Sequence, residues 1–177
     1  TQTLYAGLED YIDVFYKERG YSVNFDTPLV PKNKKTNDEV KKFIDDLQPI
    51  ANKDIIKAYD HQIDAVRHAI NNNRGLLLSP TASGKSLIIY SLVRHYMNIL
   101  PKDKKILIIV PTISLVTQMY EDFKEYSTAD TDFDAAKECH VVFAGKDKMC
   151  NKSKIIISTW QSIYKMPKKY FDNFGAV

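Results

Sequence analysis

Eight residues, Ser79-Pro80-Thr81-Ala82-Ser83-Gly84-Lys85-Ser86, lie between the apolar run Leu76-Leu77-Leu78 and an amphipathic stretch. That is the order of strand, loop and helix in which a loop can hold phosphate groups. Backbone N–H groups of residues 82 to 86 would point into the loop's concavity, and the positive end of the following helix would favour an anion there. Gly84 lets the backbone approach closely, Lys85 reaches the β- and γ-phosphates as a point charge, and the Ser86 hydroxyl can take a place on Mg²⁺. The expected contacts run from Thr81 through Ala82, Ser83 and Gly84 to Lys85 and Ser86, with Lys85 and Ser86 also serving the chemistry. Ser79 stands where the usual pattern has its first glycine, so the motif is met in its second half only.

Further polar residues fall just ahead of or just after apolar segments. Gln62 follows Tyr59-Asp60-His61 at the start of an amphipathic stretch, and its amide offers one donor and one acceptor, the pairing that matches the edge of adenine. Its bland alternative is a solvated helix residue. Pro111, Thr112 and Gln118 follow the apolar segment 106–110, and Thr159, Gln161 and Ser162 follow 155–157. Hydroxyls and amides at such places suit phosphate oxygens, although helix capping is the commoner role of a threonine. Trp160 reads as a core residue packing a helix on a sheet. His61, His68, His95 and His140 share no metal-ligand spacing, and Cys139 and Cys150 lack partners for a metal or redox centre.

The elements that must position these residues follow from periodicity. Helical spacing covers 4–15, with Gly20 where a left-handed end is wanted, and 21–25 alternates like a strand. Residues 31–37 form a lysine-rich linker. Thr36 and Glu39 make a capping box for a short helix with Val40, Phe43, Ile44 and Leu47 inward. From Lys53 onward the pattern predicts helix 60–72, strand 76–79, helix 85–99, strand 105–110, helix 114–126, strands 140–144 and 154–158, and helix 160–173. The strands are continuously apolar, as in a parallel sheet covered on both faces, so the expected class is α/β and doubly wound, with ligands at the carboxyl ends of the strands. Residues 1–48 would be the tail of a small α/β accessory domain with its linker and helix, and 53–177 a nucleotide-binding domain. Of Tyr5, Tyr11, Tyr16 and Tyr21, most are assigned to core by the same periodicity.

The 177 residues are 44% hydrophobic and 27% charged, within the range of globular proteins. No apolar run nears the roughly 18 residues of a membrane span, so no membrane partner and a cytoplasmic location are expected. The formal net charge of +3 is too small to prove nucleic-acid binding, and the lysine clusters at 32–35, 146–154 and 165–169 could each be solvated loops.

The order of Gln62, Pro-Thr-x-x-Gly-Lys-Ser, Ile-Val-Pro-Thr-x-x-Leu-x-x-Gln and Ser-Thr-Trp-Gln-Ser resembles the first RecA-like domain of a superfamily 2 helicase. The likeness covers about residues 53–177. It implies an incomplete RecA-like sheet, ATP and Mg²⁺ as cofactors, Gln62 on adenine, and Ser86 on the metal. It also implies contacts from Pro111, Thr112, Gln118, Thr159, Gln161 and Ser162 to the backbone of one DNA strand, in a monomer acting on branched DNA or DNA with single-stranded character. Recombination, repair or replication would be its setting, and a phage protein would work in the host cytoplasm. The family's Asp-Glu-x-His is absent from the sequence. Its acidic pair holds Mg²⁺ and positions water, so this stretch is expected to be an N-terminal fragment that binds nucleotide without hydrolysing it. A restriction-enzyme motor subunit and an RNA helicase share these motifs; a nucleotide switch or kinase would not need Gln62 or the 159–162 segment. A pure DNA-binding module, with 1–48 as its reader, is the remaining alternative.

Overall fold

The computed structural model describes residues 8–24, 33–143 and 152–177. The expected helical residues before Leu8, the strand end at Phe25, part of the linker, Lys32, Lys146, Lys148 and Cys150 lie outside them. In chain order the elements are α1 (Glu9–Lys17), α2 (Asn37–Asp46), β1 (Ile50–Ala51), β2 (Asp54–Ile55), α3 (Asp60–Asn72), α4 (Lys85–Ile99), β3 (Lys105–Val110), α5 (Ile113–Tyr126), α6 (Ala135–Glu138), β4 (Cys139–Val142), β5 (Ile155–Thr159), α7 (Trp160–Ile163), α8 (Lys168–Phe171) and β6 (Phe174–Ala176).

Four strands form a parallel sheet in the order β4-β5-β3-β6. Ile106 to Val110 pair in step with Ile155 to Thr159, which brings the ends of β3 and β5 side by side. Because successive residues of a strand face opposite ways, Ile106, Ile108 and Val110 pack with Leu87, Tyr90 and Val93 of α4 and Val116, Met119 and Phe123 of α5. Leu107 and Ile156 turn to the other face, where Ile163 and Tyr170 cover them. The continuous apolar runs thus have the physical cause expected of a parallel sheet, cover on both faces.

Helix boundaries follow local chemistry. The capping box at α2 is present: Glu39 N–H donates to Thr36 Oγ1 at 3.3 Å, and Thr36 N–H to Glu39 Oε2 at 2.8 Å. These bonds hold the Glu39 carboxyl below its ordinary pKa, with Lys35 adding to the effect. Asn71 on α3 binds the Lys35 backbone twice, accepting from its N–H at 2.7 Å and donating to its carbonyl at 2.8 Å. Val40 and Ile44 pack with Ile63, Val66, Ile70 and Ile88, so α2, grouped by the sequence with residues 1–48, shares a core with α3 and α4.

Several expectations are corrected. Residues 76–79 form no strand; Leu76 and Leu78 are 83% and 91% exposed. A ladder needs a neighbouring edge of matching length, and the edge strand β6 has three residues and an irregular register at Lys105/Ile106. The helix expected over 160–173 is two short ones, because Pro167 supplies no N–H and disfavours helical geometry at Met166. Residues 21–24 are not a strand, and Tyr11, Tyr16 and Tyr21 are exposed rather than core. A small hairpin, β1 with β2, turns on Asn52 and Lys53, both left-handed, and was not anticipated. Gly20, at φ +77°, ends the turn after α1 as expected.

Candidate nucleotide-binding site

Five residues, 100–104, join the end of α4 to the start of β3, so the two run in opposite senses and α4 begins near the carboxyl edge of the sheet. At 15 residues α4 spans about 22 Å, close to the roughly 20 Å of a six-residue strand. The loop before α4 therefore lies toward the edge reached by Thr112 and Trp160.

Within the loop, Ala82 (φ +62°) and Gly84 (φ +73°) are left-handed. Such residues turn successive N–H groups inward, the geometry of an anion nest. Leu87 N–H is bonded to Gly84 O at 3.1 Å, leaving the amides of Lys85 and Ser86 at the open end of the helix. Lys85 Nζ donates to Pro80 O, and the hydroxyls of Ser79 and Ser83 are bonded to each other. Ser79, in place of a glycine, thus closes the base of the loop with a side chain. Ser86 is half-buried in the first turn of α4, and Thr81 is exposed.

Gln62 is only 4% exposed and its amide is engaged on both sides. Its Oε1 accepts from Tyr59 N–H at 2.9 Å; its Nε2 donates to Ser83 O at 3.0 Å and Gly84 O at 3.4 Å. His61 Nε2 lies 3.1 Å from Ser83 O, and the His61 ring stacks on Tyr59 at 5.8 Å and 11°. Two side chains of the first turn of α3 thus grip the loop from one side. A Cβ at position 84 would stand 2.1 Å from Gln62 Nε2, which with the positive φ makes glycine the fitting residue there. The sequence offered Gln62 as a base reader; its grip on the loop, and that of His61, depend on tertiary placement. A cleft of about 780 Å³ opens between α3 and residues 76–83, lined by His61, Asp64, Arg67 and His68 on one wall.

At the neighbouring strand ends, Pro111, Thr112 and Gln118 are exposed. Thr112 also caps α5, accepting from Leu115 N–H at 3.3 Å and lying 2.9 Å from Ser114 Oγ. Thr159 is 4% exposed, its hydroxyl 2.8 Å from that of Ser162, while Gln161 is exposed. Trp160, assigned to core by the sequence, is 55% exposed. Among the described residues no cluster of metal-ligating side chains occurs, and no helix is long and apolar enough to cross a membrane. Burial pushes the Cys139 thiol up to about 12, with Glu138 contributing, so it remains an unreactive thiol.

Gln62 is bonded to the loop, and the loop lies toward the edge where β3 and β5 end side by side. Residues 55–175 match the family described as the type III restriction enzyme, res subunit. The chain belongs to this family of superfamily 2 helicase motor domains. It is 33% identical over 173 residues to the ATP-dependent DNA helicase UvsW of Enterobacteria phage T4, across 97% of this chain and 33% of that protein. It is 30% identical over 122 residues to the DNA 3'-5' translocase XPB2 of Sulfurisphaera tokodaii, across 69% of this chain and 24% of that protein. A crystal structure of the bacteriophage T4 UvsW helicase superposes with a TM-score of 0.77 at 32% identity, covering 96% of this chain and 59% of that one. The chain thus spans about a third or less of the length of these two relatives. The RecA-like α/β class read from the sequence is the class of this family member's fold.

Proposed function

We propose that this chain is the nucleotide-binding part of an ATP-driven DNA translocase or helicase that acts, as a monomer, on branched DNA or DNA with single-stranded character in recombination, repair or replication. The observation that carries the reading is the left-handed loop at the start of α4, on the sheet edge shared by the ends of β3 and β5. The residues fit the cofactor. The loop amides, Lys85 and Ser86 would hold the triphosphate and its Mg²⁺, and the bound metal would neutralise charge as the γ-phosphate departs. Lys85 would exchange the Pro80 carbonyl for phosphate oxygens. Gln62 would read adenine by exchanging its bonds to Tyr59 N–H and to the Ser83 and Gly84 carbonyls for the edge of the base.

Thr112, Gln161, Pro111 and Gln118 present exposed groups to a DNA backbone, while Thr159 and Ser162 set the turn that presents Gln161. Phosphate contacts of this kind position a strand without reading it. The 177 residues hold no Asp-Glu-x-His, and in this reading they bind ATP without turning it over. Residues ahead of α2 belong to the accessory unit. Host cytoplasm is the location that the likeness to a phage helicase supports.

The test is the affinity of the chain for labelled oligonucleotides of several sequences at two salt concentrations. Thr112→Ala with Gln161→Ala should weaken all sequences by a similar factor with little change in salt slope, since neutral groups release no counterions. Absence of any DNA binding, or a loss confined to one sequence, would overturn the proposal.

A further inference from the structure

The segment after β5 exposes aromatic surface where burial was expected. Trp160 and Tyr164 are 55% and 50% exposed, with ring centroids 6.3 Å apart and planes at 36°. They are one helical turn apart, and Ile163 between them is fully buried against Leu107 and Ile156. The short helix α7 is thus seated by Ile163 while its two large rings are left partly in water. Exposed aromatic pairs lose the gain of burial and mark a contact surface more often than chance.

What the rings meet is indicated by their neighbours. Residues 160–171 contain Lys165, Lys168 and Lys169 and no acidic residue. The Lys165 ammonium lies 5.4 Å from the Tyr164 ring centroid, and Lys168 and Lys169 are exposed on α8. Trp160 directly follows Thr159, which is paired with Val110, so the platform begins beside Pro111 and Thr112. Aromatic faces interleaved with ammonium groups fit a polyanion whose repeating units carry flat π-faces, namely unpaired nucleotides. An acidic protein would satisfy the lysines and leave the two ring faces without a matching partner.

We infer that Trp160 and Tyr164 form a base-stacking platform for single-stranded nucleic acid, with Lys165, Lys168 and Lys169 neutralising its phosphates. The inference rests on the proposed nucleic-acid function and adds base contact to the backbone contacts described above. Stacking of this kind tolerates every base, so it grips an unpaired strand without selecting its sequence.

Trp160 is the chain's only tryptophan, so its emission reports the platform directly. The chain is titrated with oligo(dT) and with an abasic strand of equal length, following both tryptophan emission and the anisotropy of a labelled strand. Oligo(dT) should quench Trp160, and the abasic strand should bind more weakly with emission unchanged. Trp160→Ala should weaken oligo(dT) by roughly 5- to 100-fold, Trp160→Phe should retain most of the affinity, and the abasic strand should bind both variants alike. Binding of oligo(dT) without quenching, or equal loss on both strands in Trp160→Ala, would overturn the platform while leaving the nucleic-acid function standing. No binding of either strand would overturn the function itself and the platform with it.

Discussion

At the scale of single residues, Gly84 carries the tightest steric demand in the site. A left-handed alanine costs about 1–2 kcal/mol, and its Cβ would also collide with Gln62 Nε2. Gly84→Ala should therefore lower stability and abolish ATP binding. The destabilisation should shrink in a Gln62→Ala background, which makes room for the methyl group, giving a coupling above about 0.5 kcal/mol in a denaturation cycle. Strictly additive losses would show that Gln62 does not press on the loop. The loop sequence was legible because glycine, lysine and serine have separate chemical duties at fixed spacing. His61 was not legible, since its contact with Ser83 O comes from the packing of α3 beside the loop. Trp160 was misassigned because apolar flanks say nothing about which side of a short helix faces the sheet.

At the scale of elements, α4 is tied to its surroundings by two polar arrangements. Arg94 is paired with Asp130 of the turn after α5, with side chains only 10% and 8% exposed, and its guanidinium lies over Phe133 at 4.7 Å. Asp130→Ala would leave a buried cation without its partner and should cost about 3–5 kcal/mol. Replacing both residues by apolar ones of similar volume should cost markedly less, as read by urea denaturation. The second arrangement is His95, edge-on to Phe43 of α2 at 6.0 Å and to Tyr96 at 5.4 Å. Burial and the Lys35 charge hold its pKa below the ordinary 6.5. The unfolded chain then takes up this proton at higher pH than the folded one, so stability is full above 6.5 and falls as pH drops from 6.5 toward the lowered value. His95→Gln should flatten that part of the melting temperature against pH between 7.5 and 5.5; an unchanged slope would contradict the role of His95. The spans of α3, α4 and β3 agree with periodicity because each has a single apolar face or two covered ones. The segment 76–79 failed because its apolar composition describes a buried strand, whereas pairing depends on an edge supplied from far along the chain.

At the scale of the whole molecule, fold and site meet on one edge of the sheet. The antiparallel course of α4 against β3 brings the loop before α4 toward the ends of β3 and β5. The central claim is that the loop is a triphosphate site organised by Lys85 and the N-terminus of α4. Its most direct test is the binding of ATP with Mg²⁺ to the chain, measured by calorimetry for the parent and for Lys85→Ala, with circular dichroism confirming that both are folded. The account predicts a one-to-one complex for the parent, its loss in the variant, and no accumulation of ADP during the titration. A folded parent that binds no ATP, or a variant that binds it as well as the parent does, would contradict the account.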